Sequence, residues 1–206
     1  MAQKKVGGSQ ANEPRPQQLE LFPDLFPASQ PQPEPPKQKV EPPKWIKTGG
    51  AESGGVLARY AYGGETYVAR QVSGTGILNI QLAKVDAEKE TTVADGALYA
   101  VEKSEASFLG IKGREGAKCA TIGFYEKTGA EGPGGNRLLN EVVGLVLENV
   151  PKGIGKVFAS FARDNPYGPL DAEDSQKQGI LEGSFGFGTH LSTSTHIVLS
   201  KDIKRK

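Results

Sequence analysis

Cysteine is nearly absent from the 206-residue sequence, in which Cys119 is the single one. One cysteine cannot form an intramolecular disulfide or a zinc site built from cysteines alone, and such scarcity is typical of the reducing cytosol. The longest strongly apolar run, Val142 to Leu147, is far too short to span a bilayer. Because the basic N-terminus has no apolar segment behind it, we expect no secretory signal and a cytoplasmic location.

An excess of charge of either sign is also missing, since 25 basic and 24 acidic residues leave a net charge of +1. The chain as a whole therefore creates no field that would draw it to nucleic acid or to an anionic membrane. Phosphate-binding loops are incomplete, because the segment 153–157 lacks both the hydroxyl residue after its lysine and the Walker spacing. We expect neither a cofactor nor a metal site.

Residues 1–44 differ in composition from the rest of the chain. They hold 10 of the 14 prolines and 7 glutamines, with few apolar residues. Such a segment cannot bury enough apolar surface to offset its ordering entropy, so the sequence predicts a disordered, proline-rich arm. Residues 45–206 carry 25 of the 27 glycines and are long enough for a core, so we expect one globular domain there.

Short apolar stretches with period-2 alternation recur through this domain, separated by glycine-containing turns. The clearest are 78–82, 120–124 and 157–161. Such alternation is typical of half-buried strands. The pair Gly63-Gly64 predicts a hairpin turn, because glycine tolerates positive φ. We expect a mainly β fold, a glycine-rich antiparallel sandwich or partly open barrel of about eight strands.

Other segments are harder to assign from periodicity. Residues 136–150 begin with a helical apolar pattern but end rich in valine, so we expect a short helix or turn at 136–141 and then a strand. Asn-Pro and Gly-Pro pairs in 164–179 predict a long loop. Two further strand pairs are expected, Phe108–Ile111 with Cys119–Tyr125 across a turn at 113–116, and Ser184–Leu191 with Thr195–Ser200.

One motif in the arm points to a partner. Gln18-Leu19-Glu20-Leu21-Phe22 resembles the peptide with which bacterial proteins bind the sliding clamp: Gln-Leu, a variable position, then Leu-Phe. The resemblance implies that Gln18 hydrogen-bonds at the groove entrance, Leu19 helps to set the backbone, and Leu21 and Phe22 fill an apolar pocket. Two alternatives are that this segment docks on the chain's own domain, and that it is an adhesive peptide for another partner.

Aromatic and basic residues near the C-terminus are candidates for contacts with nucleic acid. Phe185 and Phe187 would share one face of a strand, from which rings can stack on bases, although rings in this pattern more often belong to the core. A small basic tail consists of Lys201, Lys204, Arg205 and Lys206. Such a tail is commonly a solvated chain end.

The two histidines, His190 and His196, are candidates for a phosphoesterase or metal site. Residues 190–192 resemble one half of the two-histidine phosphoesterase motif, but His196 lacks the hydroxyl residue that the second half needs. Both histidines are more often ordinary strand or loop residues. Cys119, next to Lys118, is predicted to be an inert, partly buried thiol because no histidine is positioned beside it in the sequence.

The sequence therefore favours an accessory protein of bacterial, plasmid or phage DNA replication or repair. In this hypothesis the chain is not an enzyme, tethers to the sliding clamp through its arm, and has a β domain that can add contacts with DNA or RNA. The alternative is a structural or assembly protein whose β domain self-associates into a homo-oligomer. A weaker alternative is a small phosphoesterase that uses His190 and His196. No membrane partner is expected.

A peptide spanning Arg15 to Ala28 is predicted to bind a bacterial sliding clamp. Truncating Leu21 or Phe22 to alanine should cost about 2 kcal/mol, roughly thirtyfold in affinity, because a filled pocket is emptied. Gln18→Ala should cost about 1 kcal/mol, because only a rim hydrogen bond is lost. Titration calorimetry measures these affinities directly.

The matched controls for this titration are Leu25→Ala and Phe26→Ala, which should change little because they lie outside the pentapeptide. The prediction is wrong if the peptide shows no binding at about 100 μM, far above the expected dissociation constant. It is equally wrong if the double variant Leu21→Ala/Phe22→Ala binds as well as the parent peptide.

Overall fold

A computed structural model of the chain describes residues 43–87, 89–111, 118–127, 133–134 and 136–204. These residues belong to one compact unit, Pro42–Lys206. Residues 1–42, which hold the clamp-like peptide and nearly all of the predicted disordered arm, lie outside the described part.

The described part contains nine strands and three helices. The strands are β1 Ile46–Gly49, β2 Val56–Tyr62, β3 Glu65–Gln71, β4 Leu78–Asp86, β5 Lys89–Ala100, β6 Cys119–Glu126, β7 Lys156–Ala162, β8 Gly188–Ser192 and β9 His196–Asp202. The helices are α1 Lys103–Phe108, α2 Arg137–Glu148 and α3 Ala172–Phe185. The strands form one sheet with the order β1-β2-β3-β4-β5-β6-β7-β9-β8. β6 and β7 are parallel, and the other neighbours are antiparallel.

The prediction of a mainly β domain is confirmed, but the predicted sandwich or barrel is not found. The described strands lie in a single mixed sheet that does not close. Buried side chains of α2, among them Val142 and Val146, share one core with buried side chains of the central strands. Because helices cover this face of the sheet, its apolar side chains are buried without a second sheet.

Local turn and alternation signals are confirmed. Gly63 and Gly64 have φ of 59° and 85° and join β2 to β3, where Tyr62 pairs with Glu65. Glycine adopts positive φ values without the strain that a Cβ causes, so a Gly-Gly pair predicts this turn from the sequence. Along β4, alternate residues Leu78, Ile80 and Leu82 are buried, as the alternation predicts.

The predicted strand at the end of 136–150 is wrong, because α2 continues from Arg137 to Glu148. Its buried residues are Leu138, Leu139, Val142, Val143, Leu145 and Val146. They form a continuous helical stripe, and burying this stripe on the sheet outweighs the preference of valine for strands. The ring of Phe185 lies beside Gly144, where a Cβ would be 3.6 Å from Phe185 Cε1, an ordinary contact distance.

The predicted long loop 164–179 is wrong beyond Asp171, where α3 begins. The Asp171 side chain accepts a hydrogen bond from the backbone N–H of Asp174 at 2.7 Å, which caps the first turn. Gly186, with φ of 67°, ends the helix in the left-handed conformation. Both capping residues are present in the sequence. The apolar pattern between them is weak, since only Ile180 and Leu181 are buried.

The predicted strand Phe108–Ile111 is also wrong, because Phe108 is the last residue of α1. Leu109, directly after this helix, packs with Cys119, Phe158 and Val198 in a second apolar cluster. The turn expected at 113–116 lies outside the described residues. The pairing of the two C-terminal strands is confirmed, but β8 begins at Gly188 rather than at residue 184.

Gly96 of β5 is predicted to be a position where any side chain destabilises the fold. A Cβ there would lie 2.5 Å from Val142 Cγ1 and 3.1 Å from Val146 Cγ2, so α2 would have to move away from the sheet. Overpacking of this kind typically costs about 1–3 kcal/mol. We expect Gly96→Ala to lower the free energy of unfolding, measured by urea denaturation, by about this amount.

Gly50→Ala is the control for this substitution, because a Cβ at Gly50 would meet no atom within 4 Å. It should change the free energy of unfolding by less than about 0.5 kcal/mol, as surface substitutions usually do. Equal stability of Gly96→Ala and the parent would contradict the close packing of α2 on β5.

Candidate functional site

β6 and β7 run side by side for only part of their length. Three residue pairs join them: Cys119 with Lys156, Ala120 with Val157, and Thr121 with Phe158. Beyond these pairs β6 continues to Glu126 along β5, and β7 continues to Ala162 along β9. Residues 122–126 and 159–162 thus have no strand partner on their facing edges among the described strands. We call the space between these two stretches the β6–β7 gap.

The two edges of the gap can interact with a ligand through the main chain. Main-chain N–H and C=O groups without a ladder partner pair readily with the amides of an extended molecule. On the sheet face away from α2 and α3, Ser160 and Ala162 of β7 are small and exposed. On β6 the ring of Tyr99 packs over Gly123, since a Cβ at Gly123 would lie 3.3 Å from Tyr99 Cε2, and Tyr125 is 45% exposed. A ligand can therefore come close to the main chain of β7.

The start of α2 has the features of an anion site. Asn136, its N-cap residue, makes no side-chain cap hydrogen bond, and the first turn contains no acidic residue. Arg137, the first residue of the helix, adds a positive charge. The first N–H groups of a helix have no partner within the helix, and together with the positive end of the helix dipole they favour a bound anion such as a phosphate.

α3 brings the start of α2 close to the β6–β7 gap. Gln176 Nε2 of α3 donates to Asn136 Oδ1 at 2.5 Å. The next residue, Lys177, places its Nζ 6.0 Å from the ring centroid of Phe124, which lies on the unpaired stretch of β6. The first turn of α2, the first turns of α3 and the C-terminal end of β6 therefore meet in one place.

His196 lies on the other side of the gap, at the start of β9. It pairs in register with Ala162, the last residue of β7. Its ring contacts Phe108 edge-on, with centroids 4.7 Å apart, and its Nδ1 lies 3.0 Å from Thr195 Oγ1. When Nδ1 carries the hydrogen and donates to Thr195, Nε2 has a lone pair that can accept a proton.

Arg163, directly after β7, ties the following loop to the hairpin of β8 and β9. Its guanidinium donates to the carbonyl of Gly168 and, at 3.2 Å, to Ser192 Oγ. In the same loop Tyr167 is 82% exposed and has φ of 58°, a strained conformation for a bulky residue. Strain of this kind often accompanies a functional role, and this loop lies at the C-terminal end of β7 where the gap opens.

The predicted nucleic-acid rings are placed differently from the expectation. Phe185 is the last residue of α3 and packs against Gly144, and Phe187 is 5% exposed in the main core. They do not share an exposed strand face, because the helix extends through Phe185 and Gly186 then reverses the chain. Phe187 belongs to the core and the partly buried Phe185 packs against it, so the two rings do not form the exposed pair that the prediction of base stacking assumed.

The basic tail is partly engaged within the fold. Lys201 Nζ donates to the carbonyl of Phe185, where it caps the end of α3. Lys204 is exposed. Arg205 and Lys206 lie outside the described residues, as do Gln18, Leu19, Leu21 and Phe22 of the clamp-like peptide.

The histidines have separate partners and do not form a joint site. His190 Nε2 lies 2.9 Å from the carbonyl oxygen of Leu109 and its ring contacts Phe158, whereas His196 contacts Phe108 and Thr195. No group of three or more His, Cys, Asp or Glu side chains in the described part is arranged to hold a metal ion. This geometry does not support the predicted phosphoesterase.

Among the helices of the described residues, none is long and apolar enough to cross a membrane.

Comparison with known proteins places the chain near three acetyltransferase structures. No protein-family model matches it. No curated protein matches it either. The structure of a ribosomal-protein-S5-alanine acetyltransferase from Vibrio fischeri is similar, with 12% identity, a TM-score of 0.37, and coverage of 61% of each chain.

The second structure, an N-acetyltransferase from Staphylococcus aureus Mu50, has 14% identity and a TM-score of 0.36 over 62% of this chain and 68% of its own. The third is the N-terminal domain of a ribosomal-protein-alanine acetyltransferase from Clostridium acetobutylicum ATCC 824. It has 11% identity and a TM-score of 0.35, and the match covers 66% of this chain and 90% of that domain. The chain thus spans 61% of the Vibrio fischeri protein. With TM-scores below 0.5, this likeness assigns no activity to the chain.

The three similar structures are N-acetyltransferases, so the comparison does not bear out the predicted non-catalytic accessory protein of DNA replication. Sequence reasoning missed the β6–β7 gap because the gap depends on which distant strands pair and where their pairing stops. The resemblance of residues 18–22 to a clamp-binding peptide stays an untested prediction.

Glu126, at the end of β6, is predicted to make stability depend on pH. Burial raises the pKa of its carboxyl above the ordinary value. The folded chain therefore binds this proton more tightly than the unfolded chain, and the carboxyl destabilises the fold as the pH rises through its folded pKa. Glu126→Gln should therefore have a higher free energy of unfolding than the parent at pH 7. The difference should disappear below the unfolded pKa of about 4.3, where the carboxyl is protonated in both states.

Urea denaturation at neutral and at acidic pH measures this difference. Asp86→Asn is the control, because Asp86 is an exposed carboxylate at the end of β4. Its effect on stability should be smaller at both pH values. A lower stability of Glu126→Gln at pH 7 would contradict a cost from burying this carboxylate.

Proposed function

We propose that the chain is an acyltransferase that binds a coenzyme A-type thioester in the β6–β7 gap and transfers its acyl group to an amine. The observation that carries this proposal is the partial pairing of two parallel strands, which are joined through three residue pairs and then part. Three features support this proposal. The unpaired edges can pair with the amides of the donor, the start of α2 can bind its phosphates, and His196 can accept the proton of the amine.

The edges of the gap suit the middle part of the donor. The arm of coenzyme A is an extended chain that contains two amide groups, and such amides can pair with strand edges as an added peptide strand does. Ser160, which is small and exposed, leaves room for the arm beside the main chain of β7 on the open face of the sheet. An extended ligand would thereby complete the interrupted sheet.

The start of α2 suits the other end of the donor, which carries a diphosphate. Asn136 leaves the first turn without a side-chain cap, and Arg137 supplies a guanidinium that binds phosphate oxygens. Because Gln176 and Lys177 of α3 link this helix start to Phe124, the anion site lies at the open end of the gap.

His196 is the proton acceptor in this proposal. The nitrogen of the amine attacks the thioester carbonyl, the carbon–nitrogen bond forms, and the carbon–sulfur bond breaks. Nε2 of His196 takes the proton that the amine loses and passes it to the departing thiolate. The hydroxyl of Thr195 accepts the Nδ1 hydrogen and holds the ring in the tautomer that this step requires.

Binding and transfer can be measured separately. Titration calorimetry of the full chain with coenzyme A and acetyl-coenzyme A tests binding, and release of free thiol with a panel of primary amines tests transfer. Arg137→Gln should weaken binding about tenfold, because a charged hydrogen bond is lost. His196→Gln should leave binding unchanged and slow transfer by about 10²-fold or more.

Ser160→Phe should abolish binding, because a phenyl ring would occupy the gap. The controls are Lys89→Gln for the lost charge and Gln81→Phe for the added ring, since both residues are exposed on other strands. The proposal is overturned if the parent chain binds neither acetyl-coenzyme A nor coenzyme A at about 1 mM. Binding without transfer by the parent chain would leave a carrier-binding protein and overturn the enzymatic step.

A further inference from the structure

A second pocket lies at the opposite end of β6 and β7. It has a volume of about 410 Å³ and is lined by Gly110, Ile111, Lys118, Cys119, Gly155, Lys156, Phe158, His190 and Asp202. These residues come from the segment after α1 and from the ends of four strands. The pocket is formed where the two strands are still paired, so it is separate from the β6–β7 gap.

Positive charge predominates in the described lining of this pocket. Lys118 and Lys156 contribute two ammonium groups, against the single carboxylate of Asp202. Lys156 Nζ lies 3.2 Å from Asp202 Oδ1, but the Asp202 side chain is 72% exposed. An exposed ion pair of this kind contributes little, so Lys156 can turn toward a bound anion at low cost.

His190 adds a polar group whose orientation is fixed. Its Nε2 lies 2.9 Å from the carbonyl oxygen of Leu109, and because a carbonyl can only accept, Nε2 carries the hydrogen. The edge-on contact with Phe158, at a centroid distance of 5.1 Å, also holds the ring in place. Nδ1 remains as the second polar atom of a rigid ring in the pocket lining.

Apolar groups form the rest of the lining. Phe158 is 1% exposed and belongs with Leu109 and Cys119 to the second apolar cluster, against which Ile111 packs. Beside these apolar groups the lining has two lysines, a histidine and an aspartate, so a pocket of this size suits a small, charged organic molecule. The combination of two ammonium groups with the partly exposed side chain of Ile111 suits an anionic molecule that also has an apolar part.

We propose that this pocket binds a small organic anion, a carboxylate with a short hydrocarbon chain. Lys118 and Lys156 bind the carboxylate, and Ile111 contacts the hydrocarbon above the buried ring of Phe158. The proposal does not depend on the acyltransferase function, because the pocket and the gap lie at opposite ends of the strand pair.

Cys119 provides a built-in reporter, because it lines the pocket and is the single cysteine of the chain. Iodoacetate and iodoacetamide have nearly the same size and differ in charge. Each forms a bond between sulfur and carbon as iodide leaves and the thiol proton passes to solvent. Intact-mass measurement over time gives both alkylation rates for the folded chain.

The ratio of the iodoacetate rate to the iodoacetamide rate should exceed the ratio for glutathione by about tenfold, because the lysines concentrate the anion. Lys118→Gln and Lys156→Gln should each lower this ratio, and Lys89→Gln, an exposed lysine at the start of β5, should not. Butyrate should slow alkylation by iodoacetamide, and the neutral isostere butyramide should not.

Three results would overturn the proposal. A rate ratio equal to that of glutathione would show that the pocket does not select anions. Equal effects of Lys89→Gln and Lys156→Gln would assign the selection to the net charge of the chain. Equal slowing of alkylation by butyrate and by butyramide would show that the pocket does not distinguish a carboxylate from a neutral amide.

Discussion

The contact on which the described sheet depends is the three-residue pairing between β6 and β7. It is the junction between two antiparallel parts, β1 to β6 on one side and β7, β9 and β8 on the other. Three residue pairs form few hydrogen bonds, so most of the adhesion must come from the shared apolar core. Ile122 and Phe124 of β6 and Ala159 and Phe161 of β7 belong to the same core cluster as the buried face of α2. Because these side chains are buried together under α2, β6 and β7 can lose their main-chain pairing beyond residues 121 and 158 while both remain part of one sheet.

Because the pairing of β6 and β7 stops after three residues, the two ends of this strand pair offer different groups to a ligand. At the N-terminal ends, the paired strands bring Cys119 and Lys156 into register, and both residues line the second pocket. At the C-terminal ends, the strands offer main-chain groups instead, and the helix starts and loops that follow them supply the charged groups. A parallel pair needs a crossover connection, and here that connection contains α2, whose start therefore lies at the open end.

Local signals explain which parts of the fold could be predicted from sequence. The Gly63-Gly64 turn and the alternation along β4 depend on neighbouring residues, and both were predicted correctly. α3 was missed because its apolar stripe is weak, although Asp171 and Gly186 are ordinary capping signals. The valines of α2 favour a strand by local propensity, but the helix buries their apolar stripe on the sheet, and this burial depends on tertiary packing. The gap and the single-sheet architecture depend on long-range register, which no local pattern carries.

The two histidines show why a candidate site could not be built from residue types alone. They are six positions apart and on adjacent antiparallel strands, which made a joint phosphate or metal site a reasonable hypothesis. His190 must hold its hydrogen on Nε2, because its partner is a carbonyl oxygen. His196 Nδ1 lies 3.0 Å from the hydroxyl of Thr195, and in the proposed reaction this hydroxyl accepts the Nδ1 hydrogen. The two rings therefore have different partners in different places, with His190 beside Leu109 and Phe158 and His196 beside Phe108 and Thr195, and residue types alone do not show this separation.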